Sequence, residues 1–164
     1  MFRRFLNWLE QHDRKRVILD RQGESPYLER YYIFIKDRVH CPFNIFLHKF
    51  LRSDPDDLHD HPWPYMTIVL KGGYWEWIPK TAWNPITGYD IIIGEQRLWR
   101  GPGHFRLCKA TSLHRIELNP DVSDCWTLFI PGKRKREWGF LTHRNWKNQK
   151  WVDNETYISE ESNV

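Results

Sequence analysis

The chain has 164 residues and a formal net charge of +4, from 25 basic and 21 acidic side chains. Its 10 Trp, 7 Tyr and 9 Phe argue against a disordered chain, because burying so many rings offsets the entropy of ordering. No run approaches the roughly 18 uninterrupted apolar residues of a membrane span, and Asn7, Glu10 and Gln11 interrupt any signal-peptide apolar core. No membrane association and a cytoplasmic location are therefore expected. Cys41, Cys108 and Cys125 form no CxxC pair, so neither a disulfide framework nor a thiolate zinc site is expected.

The length fits one domain of roughly 150 residues. Phe2, Phe5, Leu6 and Leu9 recur at i, i+3, i+4 and i+7, which predicts a helix over residues 1–16 packed by one face on the main body. From Val17 the pattern changes to short β-branched and aromatic runs: VILD, YLERYYIFIK, NIFLHKFL, YMTIVL, YWEWI, DIIIGE, FRLCKA, LHRIEL and WTLFI. Gly23, Pro62, Gly72–Gly73, Gly88, Pro102–Gly103 and Pro131–Gly132 separate them, as turns separate the strands of a β-sandwich or barrel. NIFLHKFL is apolar on nearly both faces and predicts a strand covered by the barrel interior on one side and by a helix or tail on the other. The barrel and a C-terminal extension run over residues 17–157, and the polar stretch 158–164 is expected to fray.

The densest chemical signal is Leu58-His59-Asp60-His61-Pro62-Trp63. On an extended strand i and i+2 share a side, so His59 and His61 present imidazoles to one point while Asp60 faces away. Two converging imidazoles suit a first-row divalent metal, and His114 in SLHRIEL is the best third ligand. Histidines of a turn cap or an ordinary surface are the competing reading.

The surroundings of this motif resemble the cupin superfamily. His59 and His61 supply the first cupin motif, with Gly72 at its turn; Gly103 and His114 sit at the spacing of the second. Lys109, Thr111 and Leu118 replace the inner Pro and Gly and the closing Asn of that second motif. Tyr65 or Met66 fills the position of the acidic ligand. A closer resemblance, from about Phe46 to Tyr157, is to small cupin-type proteins of bacteria and their phages. It rests on FLRSDPDDLHDHPWPYMTIVLKGGYWE, LHRIEL, WTLFIPGKRKREWGF and Trp151.

The resemblance implies an all-β chain: a small β-barrel of the double-stranded β-helix or jelly-roll kind with a short N-terminal helix. It also implies a three-histidine site similar to that of thiol dioxygenases, which hold Fe(II) and add dioxygen to a small thiol. Zn(II), Ni(II) or Mn(II) fit the same donors.

Around that site, strand parity turns Trp63, Tyr65, Thr67 and Val69 inward with the histidines. Tyr65 is a candidate proton donor, against a packing role. Glu76 is a fourth ligand, a base or an outward charge, the last slightly favoured. Arg106 is the better candidate for clamping a substrate carboxylate, because Arg115 neighbours His114 and points the opposite way. Cys108 is either a thiol near the site or buried packing. His48, His104 and His143 lack spacing partners and read as structural.

The run Lys133–Arg136 reads as a solvated turn before a nucleic-acid contact. The first functional reading is a non-haem Fe(II) oxygenase acting on a small anionic or thiol-bearing molecule. A non-catalytic cupin that binds a sugar or nucleotide is the alternative, and nucleic-acid binding ranks last. Pairing of edge strands would allow a homodimer.

Overall fold

The computed structural model describes residues 2–20, 23–36, 41–54, 57–122, 124–144 and 146–161. Helix α1 (Phe2–Gln11) precedes twelve strands: β1 (Lys15–Leu19), β2 (Pro26–Tyr32), β3 (Phe46–Phe50), β4 (Leu58–His59), β5 (Tyr65–Lys71) and β6 (Tyr74–Asn84), then β7 (Tyr89–Arg100), β8 (Phe105–Cys108), β9 (Arg115–Leu118), β10 (Cys125–Pro131), β11 (Gly139–Arg144) and β12 (Lys147–Asp153). Helix α2 (Asn154–Glu161) ends the described chain.

One layer is a six-stranded antiparallel sheet in the order β1-β2-β3-β10-β5-β8. The other is made of two three-stranded sheets, β12-β11-β4 and β7-β6-β9. An isolated antiparallel bridge between His59 and His114 joins them edge to edge. The layers are open at their margins and stack as a jelly roll rather than closing into a continuous barrel. Val69 and Cys125 from the first layer pack against Tyr74 and Ile116 from the second, which sets one end of the core between them.

The β3 pattern behaves as its sequence predicts. Leu47 faces outward onto Leu9 of α1, together with Tyr31 and Trp126, while Phe46, His48 and Phe50 alternate to the inner face. Burying Leu9 contributes about 2 kcal/mol. The helix is shorter than residues 1–16. Asp13 takes φ 54°, the left-handed conformation that ends helices, and the Arg14 amide donates to the Leu9 carbonyl at 2.8 Å. Strand β1 can then start at Lys15. Only Leu9 and part of Leu6 are covered, whereas Phe2 and Phe5 remain half-exposed.

Two further differences lie at the C-terminus. The polar run KNQKWVD forms β12 because β11 offers it a ladder, and no period in its own side chains signals this. The expected irregular tail is helical over Asn154–Glu161, with Tyr157 packed on Phe140 and Val152. Residues 162–164 of that tail lie outside the described residues. Among the described residues no helix is long and apolar enough to cross a membrane.

Candidate metal centre

The seam between the two three-stranded sheets builds the site. The His59 amide donates to the His114 carbonyl at 2.9 Å, and the His114 amide returns the bond at 2.9 Å. Residues directly opposite in an antiparallel pair point to the same face, so this exchange puts the two imidazoles side by side. The next inward residue, His61, is fixed by its amide donating to the Ala110 carbonyl at 3.0 Å. Between them the Asp60 amide turns the other way, to the Gly139 carbonyl at 3.0 Å.

A ligand atom from each of His59, His61 and His114 lies within 4.8 Å of the others. The Nε2 atoms of His61 and His114 are 2.9 Å apart. Two nitrogens bound at about 2.1 Å to one ion, at right angles, lie about 3.0 Å apart, so this spacing suits neighbouring ligands. Burial, together with the other two imidazoles, holds His61 well below its ordinary pKa. Burial first, then Arg106 against the raising effect of Asp54, lowers His114 to about 4. At neutral pH both rings are uncharged, the form in which imidazole ligates metals.

Glu76 lies behind His114, fully buried. Its Oε1 is 2.9 Å from His114 Nδ1, so the ring donates there and keeps the Nε2 lone pair toward the other histidines. Arg100 Nε donates to Oε2 at 2.7 Å, and Arg106 Nη1 forms an ion pair with Oε1. Register explains the convergence, since β6 places Glu76 between Leu98 of β7 and Ile116 of β9.

Two expectations change here. Glu76 is not an outward charge, because its face of β6 is the interior one. Arg106 is not a free clamp, because its guanidinium is held by that same carboxylate.

Tyr65, Thr67 and Val69 are buried on the inner face of β5, as parity predicts. The Tyr65 hydroxyl is 3.3 Å from His114 Nε2, and burial pushes its pKa well above the ordinary value, so it keeps its proton. Cys108 is buried directly across the ladder from Tyr65. Gly72 makes the expected turn at φ +73°, where a Cβ would meet the Asp124 carbonyl oxygen at 1.9 Å.

The three histidines open onto a cavity of about 880 Å³ between the layers. Phe50, Trp63, Phe129, Trp138 and Phe140 give it an aromatic wall. His48 and Arg30 line it too. Sequence reading set His48 aside as structural and did not raise Arg30. The signal was present: alternation in YLERYY and FLHKF puts both among inward positions.

Arg115 points away, paired with Glu95 at 2.8 Å, and His143 stacks on Trp146 with centroids 3.6 Å apart. Of the basic run, Lys133, Arg134 and Lys135 are exposed, but Arg136 turns in to pair with Asp60.

No protein-family profile and no curated protein matches the chain. Solved structures do. The Fe(II) form of HppE superposes with a TM-score of 0.50 at 10% identity, over 73% of this chain and 56% of that one. HppE is the hydroxypropylphosphonic acid epoxidase of S. wedmorenis. The chain therefore spans little more than half the length of that enzyme. The polyketide cyclase RemF of Streptomyces resistomycificus gives a TM-score of 0.49 at 15% identity, over 73% of this chain and 76% of that one. At such identities the likeness concerns fold alone, and with two antiparallel layers, a short N-terminal helix and an inward HxH strand, this chain has a cupin-like jelly-roll fold.

Proposed function

We propose that this protein is a non-haem Fe(II) oxygenase that holds its metal through His59, His61 and His114 and acts on a small anionic molecule. The observation that carries the reading is the donor set: three imidazoles with converging nitrogens, His59 and His114 buried and His61 half-buried, with His114 oriented by a buried carboxylate. Fe(II) bound there supplies redox chemistry toward dioxygen. With no carboxylate among the three ligands the ion's full +2 charge faces the cavity, which favours an anionic ligand.

The chain's own residues have separate tasks. Glu76 fixes the tautomer and ring plane of His114 and is a positioning residue. Tyr65, neutral and protonated, can donate to a ligand seated beside His114. The aromatic wall excludes water, which strengthens each polar contact inside.

Metal analysis of protein purified without chelator, followed by oxygen uptake with a panel of thiol-bearing and hydroxyl-bearing carboxylates, tests this reading. Stoichiometric iron and substrate-dependent oxygen uptake, both lost in His59→Ala and His114→Ala, are expected. Stoichiometric zinc with no oxygen uptake on any member overturns the oxygenase reading.

A further inference from the structure

The second charged feature of the cavity lies on the opposite layer. Arg30 of β2 and His48 of β3 are cross-strand partners, and His48 in turn pairs with Thr127 of β10. The three form a polar row across a face otherwise carrying Leu28, Phe46, Phe50 and Phe129. Arg30 Nε donates to His48 Nε2 at 3.0 Å, and its guanidinium lies 4.7 Å over the Phe46 ring. Both of these are uncharged, and the Tyr32 side chain stands beside the guanidinium as a further hydrogen-bond partner.

Among the described residues no carboxylate pairs with Arg30. Arg52 at the cavity's rim pairs with Asp20, and behind the histidines Arg100 and Arg106 pair with Glu76 and Arg136 with Asp60. Asp54, a further carboxylate on the cavity wall, accepts instead from the Tyr27 hydroxyl and the Ile116 amide. Burial pushes Arg30 below its ordinary pKa. Arg30 is half-buried, and a cation drawn partly out of water without a counter-charge favours an anion beside it.

We propose that Arg30 is the seat for the oxyanion head, carboxylate or phosphate, of this protein's small-molecule ligand. The Nε–H is committed to His48, which leaves the Nη groups for the paired contact that guanidinium makes with such oxyanions. His48 is a positioning residue: burial, with Arg30 beside it, keeps the ring neutral, so Nε2 accepts from Arg30 and steadies the fork.

From this seat the route to the metal centre is aromatic. The His48 and Phe129 ring centroids are 5.2 Å apart, and Phe129 and His61 are 6.3 Å apart. A ligand anchored by its head on Arg30 lays an apolar body along Phe129 and presents its far end to the histidines. The inference deepens the oxygenase reading by naming the substrate class, an oxyanion with a short apolar body. It rests on that reading only for which end reacts.

Calorimetric titration of the metal-free protein with phenylacetate, phenyl phosphate and neutral phenylacetamide tests it. The wild type binds one or both anions more tightly than the amide. Arg30→Gln lowers anion affinity by at least about tenfold and leaves the amide unchanged. Arg30→Lys keeps the charge but not the fork and falls between the two, which provides a folded comparison if the Gln variant does not fold.

Equal affinity for anions and amide in the wild type, or an undiminished preference in Arg30→Gln or Arg30→Lys, overturns the proposal. Protein that never takes up metal but selects anions through Arg30 overturns the oxygenase reading alone. Protein that binds iron and shows no anion preference overturns this inference alone.

Discussion

Two buried carboxylates flank the histidine pair, and they do different things with similar partners. Glu76 receives Arg100, Arg106 and the His114 ring. Asp60 receives Arg136, the Gly139 amide at 2.9 Å and the Trp151 indole N–H at 3.0 Å. Each meets an arginine away from bulk water, so neither owes its place to charge alone. The difference lies in the partners other than arginine. For Glu76 this is an imidazole whose other nitrogen faces the cavity, so the carboxylate acts on the site. For Asp60 these are the backbone and an indole of the β11–β12 hairpin, so the carboxylate ties that hairpin to the HxH strand. Glu76 also shows how a histidine can touch a carboxylate and stay neutral. Its charge is already matched by two guanidinium groups, and burial dominates the proton affinity of His114.

Removing Asp60 should have the largest effect on the fold. Asp60→Ala leaves the Gly139 amide and the Trp151 indole without their acceptor and Arg136 without its counter-ion, at a cost of about 3 kcal/mol. Denaturant unfolding checks this. The same variant should lose less metal affinity than any change at Glu76, and the reverse order would erase the division between the two carboxylates.

Acid gives an effect of similar size in the metal-free protein. The His114 pKa is lowered from 6.5 to about 4 in the fold, so between those values the unfolded chain binds a proton that the folded chain does not. Stability present above pH 6.5 is therefore lost as pH falls toward 4, by about 3 kcal/mol from this group. His61, also lowered, adds in the same direction. A denaturant midpoint that rises or stays flat as pH falls from 7 to 4.5 would show that His114 takes its proton in the fold at least as readily as in the unfolded chain, contrary to the neutral-imidazole site.

Glu76→Gln comes next. The amide oxygen can still accept from His114 Nδ1, but the charge that balances Arg100 and Arg106 behind the ring is gone. Outer-shell changes of this kind cost about 10–100-fold in metal affinity. Competition with a chromogenic chelator measures it, and an unchanged affinity would make Glu76 an ion-pair hub with no bearing on the metal.

The ease of reading these features from sequence follows from whether the information is local. His59 and His61 were legible because alternation on one short strand is a local property. Tyr65, Thr67 and Val69 followed from the same parity, even though the bend at Asp60–Pro64 divides the segment into β4 and β5. His114 was legible as a histidine in the strand-like run SLHRIEL and by motif spacing, but the bridge that sets it beside His59, 55 residues away along the chain, was not. Glu76 was misread for the same reason. Its neighbours in GGYWEW say nothing of β7 and β9, whose register brings Arg100 and His114 to it. Arg30 marks the opposite failure. A charge at an inward position of a strand is a local anomaly in the alternation of YLERYY, visible without any knowledge of the fold. Strand β12 was not legible at all, since its polar residues take their conformation from β11.

The smallest expected effect is the most specific about geometry. With His114 Nδ1 donating to Glu76, its Nε2 is an acceptor, and the protonated Tyr65 hydroxyl at 3.3 Å donates to it. A metal needs that same lone pair, so in the metal-free protein Tyr65 competes with the ion. Tyr65→Phe removes one of the two groups that meet this lone pair, leaving the nearer His61 Nε2 at 2.9 Å, and with it one long hydrogen bond worth about 1 kcal/mol or less. Metal affinity should therefore hold or rise, by no more than about fivefold, while affinity for a ligand seated beside the metal falls. Paired titrations of metal into the apoprotein and of azide, an anion small enough to sit beside the metal, into the metal-loaded protein separate the two. A drop in metal affinity would instead make Tyr65 part of the metal's own support, on the same side of the comparison as Glu76.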